Sequence, residues 1–139
     1  MQKLILSLLC VVTGITLSAQ ELTMRISGIR QGKGDIFIAV FNSEEGFPNN
    51  IKKAVKFLRA SPVDGKAELV VKTLTPGRYA IAMFQDTNND GILNTNFLGI
   101  PKEGYGVSNN AFNTFSSPTY KDASFSYPET TSLVMQLKY

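Results

Sequence analysis

The chain contains no histidine and a single cysteine, Cys10, close to its start. The missing histidine removes the commonest general base and the commonest transition-metal ligand together. Serine, cysteine and metallo-hydrolase chemistry of the usual kinds has no partners here, so a non-catalytic protein is expected. No apolar run reaches the roughly 20 residues that a membrane-spanning helix needs. The apolar run Leu4 to Val12 follows Met1-Gln2-Lys3 and leads to small and polar residues ending in Leu17-Ser18-Ala19-Gln20. These are the parts of a signal peptide. Cleavage is expected after Ala19, which makes residues 1–19 the signal and residues 20–139 one exported domain, periplasmic or secreted, with no transmembrane segment left. Cys10 is preceded by Leu8-Leu9 rather than small residues, which argues against lipid attachment there. Cys10 leaves with the signal, so the exported domain has no disulfide. It must rest on its own core, and about 120 residues bury about two-thirds of the surface of the unfolded chain.

Charge says little about partners. Fourteen basic residues, one of them Lys3 in the leader, stand against 11 acidic ones, so the exported balance is about +2. Lys52, Lys53, Lys56 and Arg59 form one basic cluster with only Phe57 among them, which reads as a solvated face rather than a nucleic-acid site. The expected partners are an envelope protein or a glycan, the expected state is a monomer, and nucleic acid is not expected.

From Glu21 the pattern has period two: Leu22, Met24 and Ile26 alternate with Thr23, Arg25 and Ser27, as in a strand with one buried face. Gly28 reads as a bulge and Gln31-Gly32-Lys33-Gly34 as a turn. Asp35 to Phe41 (DIFIAVF) follows, apolar on both faces and so central, pairing with the first strand as a hairpin. Residues 51–60 fit either a helical face or a short strand, and the company of strands favours the strand. Lys66 to Thr73 alternates again, Pro76-Gly77 makes a turn, and Tyr79 to Phe84 (YAIAMF) is a buried strand. Tyr120–Tyr127 and Ser132–Lys138 are expected as a final pair. About seven short strands with no long helix predict a small antiparallel β-sandwich, transthyretin-like or immunoglobulin-like, with one long loop at about residues 85–119.

That loop has a pattern regular structure does not require. Asp86, Asn88 and Asp90 alternate, and Gly91 follows at once. This is the first half of a calcium loop, in which oxygens come from positions one, three and five and glycine at six makes the sharp turn. Position twelve, where an acid normally supplies two oxygens, is Phe97. Glu103 is the nearest acid able to replace it, Asn94 adds an amide oxygen and Ile92 a backbone carbonyl. A structural Ca2+ with six or so oxygens is therefore expected. The same Asp, Asn and Gly residues are also ordinary turn formers. Phe97, Tyr105 and Phe112, with Ser108 and Asn109, decorate the loop as a candidate ligand surface, where aromatics could stack on a sugar or an aromatic ligand or could pin the loop to the sandwich.

The stretch from Gly65 through Leu74-Thr75-Pro76-Gly77-Arg78-Tyr79 resembles transthyretin-like and carboxypeptidase-regulatory-like sandwiches. More specifically, Asp86-Thr87-Asn88-Asn89-Asp90-Gly91, Asn94-Thr95-Asn96-Phe97, the run from Gly99 to Gly106 and Ser108-Asn109-Asn110 resemble a bacterial exported family called domain of unknown function 2141. The resemblance covers nearly all of the exported chain and implies a fold without an activity. Gln85 stands where that family's pattern has histidine, and Asn94 where it has aspartate. Both departures lower ligand strength and favour a hard cation over a transition metal. Three functions follow in order: an exported non-catalytic module with a calcium-organised loop at 86–103 and a ligand surface at 86–119; an envelope interaction protein acting through a sheet edge; and a hydrolase using Asp86, Asp90 and Glu103 as acid and base.

Overall fold

The structure is a computed structural model that describes residues 20–139; the expected signal peptide lies outside the described residues. The strands are β1 Leu22–Ser27, β2 Ile36–Phe41, β3 Lys56–Ala60, β4 Ala67–Val71, β5 Gly77–Gln85, β6 Tyr105–Val107, β7 Phe125–Tyr127 and β8 Ser132–Gln136, with one short helix, α1 Tyr120–Ala123. They form a three-stranded sheet, β4-β1-β8, and a five-stranded sheet ordered β3-β2-β5-β6, in which β7 pairs with the start of β5. The expected small all-β sandwich is what forms. The β1–β8 pair is parallel and the other strand pairs are antiparallel. Among the described residues no helix is long and apolar enough to cross a membrane.

Alternation builds the core. Ile36, Ile38 and Val40 of β2, with Ile81 and Met83 of β5, meet Leu22, Met24 and Ile26 of β1 and Leu133 and Met135 of β8. Each such side chain contributes about 1.5–3 kcal/mol when fully buried.

Four local expectations are corrected by this arrangement. β1 and β2 are not a hairpin, because the chain leaves β1 at Gly28 (φ 73) and crosses to the other sheet instead of bulging. Residues 51–60 are both alternatives in turn: a 3-10 turn at Ile51–Lys53, capped by the Asn50 side chain, and then β3. Tyr120–Tyr127 opens as α1, since Thr119 accepts from the Asp122 backbone N–H and donates to the Asp122 carboxylate, a reciprocal cap that starts a helix. β7 and β8 are not partners. Phe125 and Tyr127 bring the five-stranded sheet's apolar groups to the core, Leu133 and Met135 those of the opposite sheet, so the two strands face each other across it.

The five-stranded sheet has a second apolar face. Since side chains alternate along a strand, Phe37, Ala39 and Phe41 point away from the core that Ile36, Ile38 and Val40 enter. Across that outer face Phe37 pairs with Arg59 and Phe84, Phe84 with Tyr105, and Ala39 with Phe57 and Ala82. One end is covered: Ala80, Val107 and Ala123 form a second cluster with Phe47 and Tyr120 packed on it. The other end is covered by the loop after β5.

A three-residue hinge, Ser108–Asn110, fixes β6, α1 and both sheets relative to one another. The fully buried Ser108 hydroxyl accepts from Ile81 N (2.9 Å) and donates to Ala123 O (2.5 Å). Asn109 donates to Ser124 O at 2.9 Å, and Asn110 bridges the outer edge of β8, donating to Val134 O and accepting from Gln136 N. Ser108→Ala leaves a buried N–H and a buried carbonyl unpaired, and is expected to lower stability by about 2–3 kcal/mol in chemical denaturation. A loss below about 0.5 kcal/mol would show that these groups find other partners.

Candidate functional site

The expected loop of residues 85–119 is two excursions separated by β6 and the Ser108–Asn110 turn. The first is closed at its neck, where Gln85 N donates to Gly104 O (2.8 Å) and Asp86 N to Asp35 O (2.9 Å). Gly34 makes that approach feasible: it has φ +98, and a Cβ there would lie 1.8 Å from the Asp86 carbonyl oxygen. Above the neck the chain folds back on itself, with Lys102 N donating to Asn94 O at 2.8 Å and Asn96 N to Ile100 O at 2.9 Å.

Carboxylates hold this excursion from inside. Glu103 is only 4% exposed. One of its oxygens accepts from Thr87 N and Thr87 Oγ1, both at 2.8 Å, and the other from Asn94 N at 3.0 Å, so it ties the two limbs together. Asp86, 1% exposed, accepts from Asp90 N (3.2 Å) and Gly91 N (2.9 Å). Charge-assisted bonds of this kind are about twice as strong as neutral ones. Asp90 is exposed; its Oδ1 accepts from Ile92 N (3.0 Å), while the side-chain amides of Asn94 (2.8 Å) and Asn88 (2.9 Å) both donate to Oδ2. The Asn94 amide first, then the Ile92 N–H, hold the Asp90 carboxyl below its ordinary value of 3.8.

The candidate ligands therefore divide. The side-chain amides of Asn88 and Asn94 gather at the Asp90 carboxylate, and a half-turn of the Asn94 amide, whose two ends are nearly the same shape, would point its oxygen the same way, while both Asp86 oxygens are taken by the Asp90 and Gly91 N–H groups. Glu103 has both oxygens committed to the backbone. It is the clasp of the loop rather than a free twelfth-position ligand. Ile92 enters through its N–H, not its carbonyl. Among the described residues no three His, Cys, Asp or Glu side chains come together as a metal-ligating group, so a cation here would depend on amide and backbone oxygens.

Between the excursions and the outer face of the five-stranded sheet lies a cleft of about 970 Å³. Its floor is Ala39 and Ala82, small residues beside Phe37, Phe84 and the half-exposed Phe57, and Ile92, Leu98 and Ile100 form the loop side. Phe37 stacks on Phe84 with centroids 5.5 Å apart and tilts against Phe57 at the same distance. Of the loop residues expected to form a ligand surface, Tyr105 lines this cleft. Phe97 projects into solvent at 95% exposure, Phe112 packs edge-on against Tyr105 at 5.7 Å, Ser108 is buried and Asn109 is spent on Ser124. The sequence reading missed Phe37, Phe57 and Phe84. The signal for Phe37 was the run DIFIAVF, and for Phe84 the run YAIAMF, each apolar on both faces, which implied a second covered surface as well as a central position; Phe57 carried no such signal.

A sequence model described as an uncharacterized protein conserved in bacteria (DUF2141) matches residues 24–134. The chain belongs to that family. No curated protein and no solved structure matches it. In this DUF2141 member Gln85, in the position where the resemblance calls for histidine, is fully buried and structural: its amide donates to Arg30 O at 2.7 Å and accepts from the Tyr139 hydroxyl. It fastens the β1–β2 connection to the loop neck.

Two outcomes follow. Glu103→Gln turns an amide N–H2 toward a backbone donor, and is expected to cost about 1–3 kcal/mol in denaturant unfolding; an unchanged midpoint would remove Glu103 as the clasp. Because the Asp90 pKa is lowered in the folded chain, its contribution is present above the ordinary carboxylate value of 3.8 and is lost as pH falls through the lower, folded value. The Asn88 and Asn94 side-chain amide resonances are expected to hold steady down to about pH 4 and to move together below it. Movement already at pH 5–6 would contradict the arrangement.

Proposed function

We propose that this DUF2141 protein is an exported, non-catalytic binding module, whose ligand sits in the cleft between the 86–119 region and the five-stranded sheet. The observation that carries the reading is the cleft itself. Its volume, about 970 Å³, is at the upper end of what small-molecule sites occupy, and its walls are mostly apolar and aromatic as in such sites. An apolar face that its covering loop leaves open in this way is ordinarily a binding surface. Asp86, Asp90 and Glu103 do not form an acid–base pair over the cleft: two of them are buried acceptors for backbone amides and the third is bracketed by asparagines. That arrangement favours a module over a hydrolase.

Within this reading calcium organises residues 86–103. Asp90, Asn88 and Asn94 would hold it, joined by Asp86 where one of its oxygens gives up its backbone N–H, with water completing the six to eight oxygens that calcium takes. Bound there, the ion would supply the positive charge that holds the paired oxygens together and stiffens the loop side of the cleft. The four side chains are hard oxygen donors on a single short turn, which suits calcium better than a softer metal.

Thermal melting of residues 20–139 with calcium and then with chelator tests the ion. At a hundredfold excess over its dissociation constant, a ligand that binds only the folded state stabilises by about 2.7 kcal/mol, a rise of several degrees. Asp90→Ala, which leaves the Asp86 and Glu103 backbone caps intact, is expected to abolish the rise. No rise in the unaltered protein would reduce these residues to turn chemistry.

A further inference from the structure

We infer that the ligand of the cleft is a free long-chain carboxylate, its tail on the aromatic face and its head at Lys138; this deepens the binding reading above and rests on it. The lining has one charged side chain, Lys138, and no Asp or Glu side chain. Like most cations of the described residues, Lys138 makes no ion pair there; what sets it apart is its place in the cleft lining. Its ammonium stands 5.5 Å from the Phe112 ring centroid, a contact that leaves the charge without a counter-ion. A partnerless cation beside an otherwise uncharged apolar hollow is complementary to an anion with an apolar tail.

The tail has a surface to lie on. The row Phe37–Phe84–Tyr105 runs across β2, β5 and β6 beside the small row Ala39–Ala82, so the floor is a trough walled by rings. Leu98, Ile100 and the almost wholly exposed Phe115 (98%) face it from the two excursions. These contacts are apolar. The loops around the cleft carry Asn49, Thr95, Asn113, Thr114, Ser116 and Ser117, but the floor of Phe37, Phe57, Phe84, Ala39 and Ala82 offers a glycan's hydroxyls no hydrogen bond, which is unfavourable for a sugar lying on it. A methylene chain brings nothing that needs a partner, and each buried CH2 is worth about a fourfold gain in affinity.

Titration of isotope-labelled residues 20–139 with octanoate, decanoate and dodecanoate below their micelle concentrations, and with decanol and decylammonium, tests this. Decanoate is expected to shift the amides of Ala39, Ala82 and Ile100, with affinity rising about fourfold per methylene. Decanol is expected to bind about fivefold more weakly and decylammonium more weakly still, a surface charge pair being worth about that much. Lys138→Ala is expected to bring decanoate down to the affinity of decanol while leaving decanol unchanged, and Phe57→Ser to weaken both. If decanol binds the unaltered protein as tightly as decanoate, or Lys138→Ala leaves decanoate unchanged, the carboxylate inference falls while the cleft reading stands. If no chain shifts the cleft amides, the cleft is not the binding site and both readings fall. Shifts confined to the Asp86–Asn94 turn would likewise overturn the inference.

Discussion

The structure depends on one constraint: β2 is apolar on both faces, and the second sheet can cover only one. Ile36, Ile38 and Val40 are satisfied by the three-stranded sheet. Phe37, Ala39 and Phe41 require another cover, and the chain supplies it with segments that are not strands. Phe41 packs edge-on against Phe47, which packs in turn on Tyr120, and that end of the face closes into a small second core. Over Phe37 and Ala39 the cover is the loop after β5, which stands off far enough to leave a cleft.

A loop can serve as a wall only if its own polar backbone is satisfied, and this one satisfies it with carboxylates. Glu103 and Asp86 are buried, which charges tolerate only when well paired. Their partners are five backbone or hydroxyl donors of the loop itself, so the desolvation they suffer is offset by fixing the turn. The Asp-x-Asn-x-Asp-Gly spacing that reads as a calcium pattern is thus also the framework of the wall.

Much of the fold was legible in the sequence because period-two alternation reports directly on which face is buried. β1 and β4 were legible within a residue or two of their ends on that signal, and β2 and β5 as short unbroken apolar runs. What it does not report is which sheet a strand joins. Gly28, with its positive φ, sends β2 across the sandwich, and no alternation pattern distinguishes that from a bulge. β6 escaped because it is three residues long and contains Gly106, too short to show a period. At the site, the tight turn of Asp86 to Gly91 was legible from spacing, whereas the bonds of Glu103 to Thr87 and Asn94 were not. Which carboxylate faces solvent and which faces backbone amides is decided by burial, and burial follows from the fold. Phe57, Phe37 and Phe84 lie on three strands and form one surface only once the register Phe57–Ala39 and Phe37–Phe84 is set.

The central claim is that residues 86–103 are a fixed wall over the sheet's outer face. Native-state hydrogen exchange of residues 20–139 tests it most directly. The amides of Thr87, Gly91 and Asn94, each bonded to a carboxylate, are predicted to exchange at least about a hundredfold more slowly than that of the solvent-exposed Phe115, since each requires an opening of the loop to exchange. Exchange of those three at the rate of Phe115 would mean that the loop is open in solution, and the cleft would have no wall.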